Sequence, residues 1–323
     1  MRAIVYETYG AADVLHLRDV EMPAVGATDV LVRVRASSIN PYDWHFMTGL
    51  PYFMRLFSGL RRPRKTRLGL DFAGEVVEAG EDVTRFQPGD AVYGMSDGAF
   101  AEYLSMPESE AAHKPANLTF EQAAAVPLAA VTALQGLRDT AEIQPGQRAL
   151  IIGAGGGVGS FAVPLAKRMG AHVTGVCSAS KLEFVSSLGA DAVIDYTRED
   201  FTTSGETYDA IFELAGTASP RRLRRALTPT GKLVMSSGDS EGRWLGPMDR
   251  IALGSLLSPF VSQTIVSLNT KRSASDLKYL AGLIEEGGLQ TVISATYELS
   301  ETADAMRTFE RGHVRGKIAL TLS

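Results

Sequence analysis

The run Leu150-Ile151-Ile152-Gly153-Ala154-Gly155-Gly156-Gly157-Val158-Gly159 carries the strongest chemical signal in this chain. An apolar stretch enters a glycine turn, and a helix-like stretch beginning at Val158 leaves it. Gly153, Gly155, Gly156 and Gly157 let a backbone approach a pyrophosphate, whose charge meets the free N–H groups at a helix N-terminus. The strict G-x-G-x-x-G spacing is not met; the aligned positions read Ala154-x-Gly156-x-x-Gly159. A tight turn also collects glycines, so the assignment to a dinucleotide depends on the elements that surround the loop.

Which dinucleotide is read from the end of the next strand, where NAD sites place an acid for the ribose 2′-OH. Here that place is Val176-Cys177-Ser178-Ala179-Ser180-Lys181, with no acid. Two hydroxyls and the ammonium of Lys181 suit a 2′-phosphate, which favours NADP(H). The plainer reading of Ser178 and Lys181 is an N-cap serine and a solvated lysine. Metal chemistry has little to draw on. Cys177 is the sole cysteine, which excludes internal disulfides and Cys-cluster sites, and His16, His113, His172 and His313 lack ligand spacing.

The elements around the loop support the dinucleotide reading. Strands are expected at 149–152, 172–176, 192–194, 210–214 and 232–235, with helices at 158–169, 181–188 and 221–227. Such alternation means βαβ units and a parallel sheet covered on both faces. Pro164 should weaken the first helix locally. Before residue 118 the pattern differs. Short apolar runs such as Val30–Val34 and Phe72–Val77 alternate with turn signals such as Gln87-Pro88-Gly89-Asp90, giving a compact, partly antiparallel β-rich region. Thr119 with Gln122 reads as a helix start. After residue 269 come helices at 273–286 and 300–311, and then Lys317–Leu322, which alternates like an edge strand.

The 323 residues are 45% hydrophobic and 21% charged, an ordinary globular composition long enough for two domains. With 32 basic and 37 acidic residues the net charge is −5, so no whole-surface attraction for nucleic acid or an anionic membrane is expected. No apolar run reaches the length of a membrane span, and Met1–Glu7 meets an acid too early for a signal peptide. A cytoplasmic location is expected. The segment Ile251–Val261, broken by Gly254 and Pro259, reads as buried or as an interface.

Five segments taken together resemble the medium-chain dehydrogenase/reductase superfamily, in its zinc-free quinone oxidoreductase-like branch. They are Ser38-Ile39-Asn40-Pro41-Tyr42-Asp43, Gly69-Leu70-Asp71-Phe72-Ala73-Gly74-Glu75-Val76, Val126-Pro127-Leu128-Ala129-Ala130-Val131-Thr132-Ala133-Leu134, the glycine loop, and Gly189-Ala190-Asp191-Ala192-Val193-Ile194-Asp195-Tyr196. The resemblance implies an α/β fold: a GroES-like β-rich catalytic domain, built from residues 1–120 and 269–323, around a doubly wound Rossmann NADP-binding domain at 121–268. Zinc-dependent members carry an imidazole where this chain has Leu70-Asp71, so no metal is expected.

For the zinc-free branch the resemblance implies NADPH-dependent reduction of quinones or α,β-unsaturated carbonyls. Hydride passes to an electrophilic carbon, and a donor steadies the charge that grows on the carbonyl oxygen. Asn40 resembles the residue near the nicotinamide and Asp43 its structural partner. Thr132, Ser178, Lys181 and Tyr196 resemble cofactor contacts. Where several relatives have Tyr or Lys, this chain has His45, a candidate donor or a residue that lines the cleft. Tyr52 is the second candidate, and Trp44, Phe46, Tyr52 and Phe53 form either an apolar slot or plain core. A homodimer is expected through an edge strand at Phe260–Val266. The basic run Arg55–Arg67 reads as a lid or a solvated mobile loop, with no nucleic-acid role. The other functional reading is a non-catalytic NADP-binding protein with a structural, regulatory or RNA-binding duty.

Overall fold

Alternation of Val30, Val32, Val34 and Ala36 with Arg33 and Arg35 produces the strand Asp29–Ser38, the longest in the computed structural model. The structure describes residues 1–216, 218–236, 242–246, 248–257 and 261–322. Asp29–Ser38 pairs antiparallel with Asp71–Ala79, Tyr103–Pro107 and Lys317–Thr321. Ile293–Glu298, Ala91–Met95 and Ala111–His113 complete a seven-stranded sheet. Val32, Phe72, Val92, Phe100, Ile318 and Leu320 meet in its core. This sheet belongs to a unit made of Met1–Val131 and Arg272–Ser323.

The last strand corrects one expectation. Lys317–Thr321 is not an edge: it runs parallel to Ile293–Glu298 on one side and antiparallel to Asp29–Ser38 on the other. The consecutive apolar residues Ile318-Ala319-Leu320 are all buried. Such a run marks a strand covered on both faces rather than an alternating edge.

The second unit, Thr132–Lys271, holds a six-stranded parallel sheet. Its order is Ala192–Asp195, His172–Cys177, Arg148–Ile152, Tyr208–Glu213, Leu227–Met235 and Thr264–Ser267. The first βαβ half runs outward from Arg148–Ile152 and the second returns on its other side, which is the doubly wound order. Pro164 sits inside the Gly159–Arg168 helix without ending it. The expected helix at 181–188 divides into a 3₁₀ turn, Ala179–Lys181, and the helix Leu182–Ser187.

The first border between the units follows Val131, later than the change of sequence pattern. Thr119 and Gln122 do form a capping box on the helix Phe120–Ala124. The Pro127–Gln135 helix is tied at its start to the β-rich unit, because Leu128 N–H donates to Asp71 Oδ1 at 2.9 Å. Of the expected edge strand, Phe260 lies outside the described residues and the strand itself is Thr264–Ser267, at the sheet's edge. Ile251, in the helix Met248–Leu257, packs on the sheet core, and Leu256 is exposed. Among the described residues no helix is long and apolar enough to cross a membrane.

Candidate active site

The glycine loop hangs from the neighbouring strand, with Gly153 and Ala154 N–H both donating to Val176 O. Gly153 lies at φ +87°, where a side chain would be strained. A Cβ on Gly159 would stand 2.3 Å from Gly153 O and 2.5 Å from Ala154 O, so the helix can start this close only as glycine. Above Gly156 the first atom such a Cβ would meet is 3.4 Å away. That leaves room for a phosphate over the start of the Gly159–Arg168 helix, beside Gly157 and Val158. The loop sits at the carboxyl end of Arg148–Ile152, the strand at which the doubly wound order reverses, where open α/β sheets bind ligands.

Ser178, Lys181 and Tyr196 gather at the ends of the next two strands. A Cβ on Gly155 would lie 2.8 Å from Lys181 Cδ, so the lysine stem runs over the glycine loop. Ser178 occupies an N-cap position but its hydroxyl makes no cap bond; it lies 3.3 Å from the Ser180 hydroxyl. Tyr196 is exposed. Thr132 is buried, with its hydroxyl 3.0 Å from that of Thr270.

Two buried carboxyls in this unit escape sequence reasoning. Glu213 ends the strand beside the glycine loop, in register with Ile152, and is 1% exposed. One oxygen accepts from Arg250, while Oε2 has no partner. Burial pushes its pKa up to about 7, an effect that Arg250 offsets only in part. Asp195 binds Thr197 through Oδ1 and likewise leaves Oδ2 unpartnered. Buried acceptors without donors are rare and costly. Together with the glycine cradle, they fit a bound group rich in hydroxyls and amides, which a nicotinamide dinucleotide is.

In the β-rich unit, Asn40 and Asp43 form a capping box on the helix Pro41–Thr48. Both are buried. Asn40 Nδ2 donates to Asp71 Oδ2 at 2.9 Å and Ser38 O at 3.3 Å, and its Oδ1 accepts from Lys317 Nζ. Its amide hydrogens are thus spent within its own unit. Asp43 accepts from the N–H groups of Asn40 and Gly69. Burial first, and then the charge of Asp71, raise the Asp43 pKa to about 7 against the opposing Asn40, Gly69 and Lys317. Lys317, 4% exposed, lies 3.5 Å from Asp71 and donates to Ile39 O at 3.0 Å. Lys317 is the member of this network that the sequence did not single out, and Asp71 drew notice only as standing where zinc-dependent members carry an imidazole.

His45 is half-buried on the same helix, and its Nδ1 donates to Leu50 O at 2.8 Å. With the proton on Nδ1, Nε2 of the neutral ring is an acceptor. Donation from Nε2 to a carbonyl oxygen therefore requires the imidazolium. Tyr52 lies beneath the Arg55 guanidinium, 4.7 Å from ring centre to cation. The four side chains left open as an apolar slot or plain core make three separate sets of contacts. Trp44 and Phe46 pack on the core, Tyr52 on Arg55, and Phe53 against Phe57 with ring centres 6.4 Å apart. Among the described residues no cluster of three His, Cys, Asp or Glu side chains is arranged to hold a metal.

A GroES-like β-rich unit joined to a doubly wound unit with a dinucleotide cradle defines a nicotinamide-dependent oxidoreductase. Residues 26–116 match the alcohol dehydrogenase GroES-like domain, and 188–320 match the family described as zinc-binding dehydrogenase. The chain is 33% identical to a chloroplast envelope quinone oxidoreductase homolog of Arabidopsis thaliana, over 98% of this chain and 97% of that protein. It is also 33% identical to that plant's chloroplastic NADPH-dependent alkenal/one oxidoreductase, over 99% of this chain and 79% of the relative. The structure of Escherichia coli quinone oxidoreductase complexed with NADPH superposes with a TM-score of 0.86 at 26% identity, covering 100% of both chains. The chain belongs to the medium-chain dehydrogenase/reductase superfamily, in its quinone oxidoreductase-like branch. It is an oxidoreductase that uses a nicotinamide cofactor, which sets aside the non-catalytic alternative.

Proposed function

We propose that this protein is an NADPH-dependent reductase of quinones or α,β-unsaturated carbonyls that works without zinc. The observation that carries the reading is the Lys181 stem lying over Gly155, with the Ser178 hydroxyl uncommitted to a cap. A cation and a hydroxyl at this end of the loop suit a 2′-phosphate. When bound, NADPH supplies a hydride to an electrophilic carbon of the acceptor. The glycine loop and helix N-terminus take the pyrophosphate, and the free Glu213 oxygen takes a donor from the cofactor. The Asn40–Asp43–Asp71–Lys317 network fixes the helix that carries His45, the candidate donor to the acceptor's oxygen, with Tyr52 as the other. Asn40 is accordingly a positioning residue.

The zinc-free reading rests on the donor set. Asp71 is fully engaged by Ser38, Asn40, Leu128 and Lys317, and Leu70 beside it offers no ligand atom. The names of the relatives support quinone and alkenal or enone acceptors. A homodimer through the edge strand Thr264–Ser267 fits its outer side, which pairs with no other strand among the described residues, since an exposed edge otherwise invites uncontrolled pairing. A reducing compartment such as the cytoplasm suits the lone thiol. NADPH oxidation measured against a panel of quinones and enones, before and after chelation, tests the reading. Turnover that survives chelation is expected. Failure with every acceptor, or stoichiometric zinc whose removal abolishes turnover, contradicts it. Light scattering that finds a monomer at micromolar concentration contradicts the dimer.

A further inference from the structure

Between Asp43 and Asp71 the chain contains no acidic residue, but it contains Arg55, Arg61, Arg62, Arg64, Lys65 and Arg67. In a molecule of net charge −5 this is a local reversal of sign. The same stretch shows its apolar side chains to solvent: Leu56 is 61% exposed, Phe57 75% and Leu60 67%. Single exposed apolar residues need no explanation, whereas three within five positions do.

The segment is firmly held. The Tyr9 hydroxyl lies 2.8 Å from the Ser58 hydroxyl and donates to Gly59 O at 2.7 Å, and Arg64 N–H donates to Ser58 O at 2.8 Å. Gly59, at φ +119°, lets the Arg62 carbonyl approach to a place where a Cβ would clash at 2.1 Å. Arg55 is spent on this base, stacked over Tyr9 and Tyr52 and donating to Gly49 O, and Lys65 is paired with Asp97. Arg61, Arg62 and Arg64 are exposed and have no ion-pair or hydrogen-bond partner for their guanidinium groups among the described residues. The fold therefore presents a preorganised knuckle of aliphatic and aromatic side chains flanked by three uncommitted guanidinium groups. Of the lid and the solvated loop expected here, these three arginines are exposed as in a solvated loop, and the backbone is tied down at Ser58 and Gly59.

We propose that the 56–64 knuckle docks this protein peripherally onto an anionic lipid bilayer. Phe57, Leu56 and Leu60 enter the boundary between headgroups and acyl chains, while Arg61, Arg62 and Arg64 meet lipid phosphates. Nucleic acid would use the arginines and stack on Phe57, but it gives Leu56 and Leu60 nothing to bury in. The aliphatic pair decides for lipid. The inference goes beyond the reductase reading and does not depend on it.

Flotation of the full chain with vesicles of equal parts phosphatidylcholine and phosphatidylglycerol tests the proposal, with pure phosphatidylcholine vesicles as the control. Binding to the anionic vesicles alone is expected, weakening at high salt. At roughly fivefold per arginine, the triple variant R61E/R62E/R64E should bind at least ~100-fold more weakly. F57S/L60S should also lose binding, and both variants should keep the wild-type thermal midpoint because the altered side chains lie in solvent. F57W provides a second readout through a blue shift of its emission on anionic vesicles. No flotation of the wild-type protein, flotation untouched by either variant, or no F57W shift overturns the proposal. So does binding to an RNA oligonucleotide that outcompetes the vesicles and ignores F57S/L60S.

Discussion

Replacing Lys317 by Met should be among the most damaging single changes in the β-rich unit. Methionine keeps the length of the side chain and removes its charge. Asp71, 0% exposed, then lacks its countercharge, and the oxygens of Ile39 and Asn40 lose the Nζ donor. Breaking a buried ion pair from one side typically costs ~3–5 kcal/mol. The orphaned carbonyls fall within the same network, so their cost is not added separately. For a unit of this size such a loss lowers the thermal midpoint by on the order of 10 °C. Trp44 is in this unit and Trp244 in the other, so a W244F background makes indole emission report on the β-rich unit alone. Urea unfolding of W244F, and of that protein with K317M, D71N or both, gives a double-mutant cycle. The double variant should be less destabilised than the sum of the singles, because removing both charges leaves neither one unpaired. A loss below ~1 kcal/mol for K317M, or strict additivity, would refute the network as the element that holds this unit's site.

Three other perturbations follow from the cofactor unit. Glu213 has its pKa raised by burial from 4.5 to about 7, so the folded protein retains a proton that the unfolded chain releases. Stability should therefore fall as pH rises through that window, with Asp43 acting in the same direction. E213Q should remove part of the slope in thermal midpoints between about pH 5 and about 8; an unchanged slope counts against the assignment. G159A must push its Cβ against Gly153 O and Ala154 O, and should weaken NADPH binding at least ~10-fold in a fluorescence titration. Unaltered affinity would mean that the loop is no cradle. C177S should leave turnover nearly intact, because burial raises the pKa of this thiol and keeps it from acting as a nucleophile; abolished activity in a folded protein would defeat direct hydride transfer.

Local signals made much of this molecule legible. The glycine loop, the Thr119–Gln122 capping box and most of the alternating βαβ elements are written in neighbouring residues and appear close to where their patterns place them. The helix expected at 221–227, however, is the short helix Pro220–Leu223 followed by a 3₁₀ turn, Arg224–Ala226, and Leu227 already begins a strand. What stayed hidden depends on partners distant in sequence. Asn40 meets Asp71 across 31 residues and Lys317 across 277, so its type suggested a site but its commitments could not be read. Lys317 passed for the polar start of an edge strand, although a charge leading a run as apolar as Ile318-Ala319-Leu320 signals a buried partner elsewhere. Asp71, itself inside an apolar stretch, was the matching signal. Glu213 closes an apolar strand in the same way, and only the fold shows that one of its oxygens lacks a donor.

The Ser178–Lys181 end of the cradle is proposed to receive the cofactor's 2′-phosphate. Titration of NADPH and NADH side by side, with the wild-type protein and K181A, tests it most directly. A charge-assisted phosphate contact is worth ~1.5–3 kcal/mol, so NADPH should bind at least ~10-fold more tightly than NADH. K181A should erase most of that difference by weakening NADPH while leaving NADH unaffected. NADH binding as tightly as NADPH, or a preference that survives K181A intact, would contradict the account.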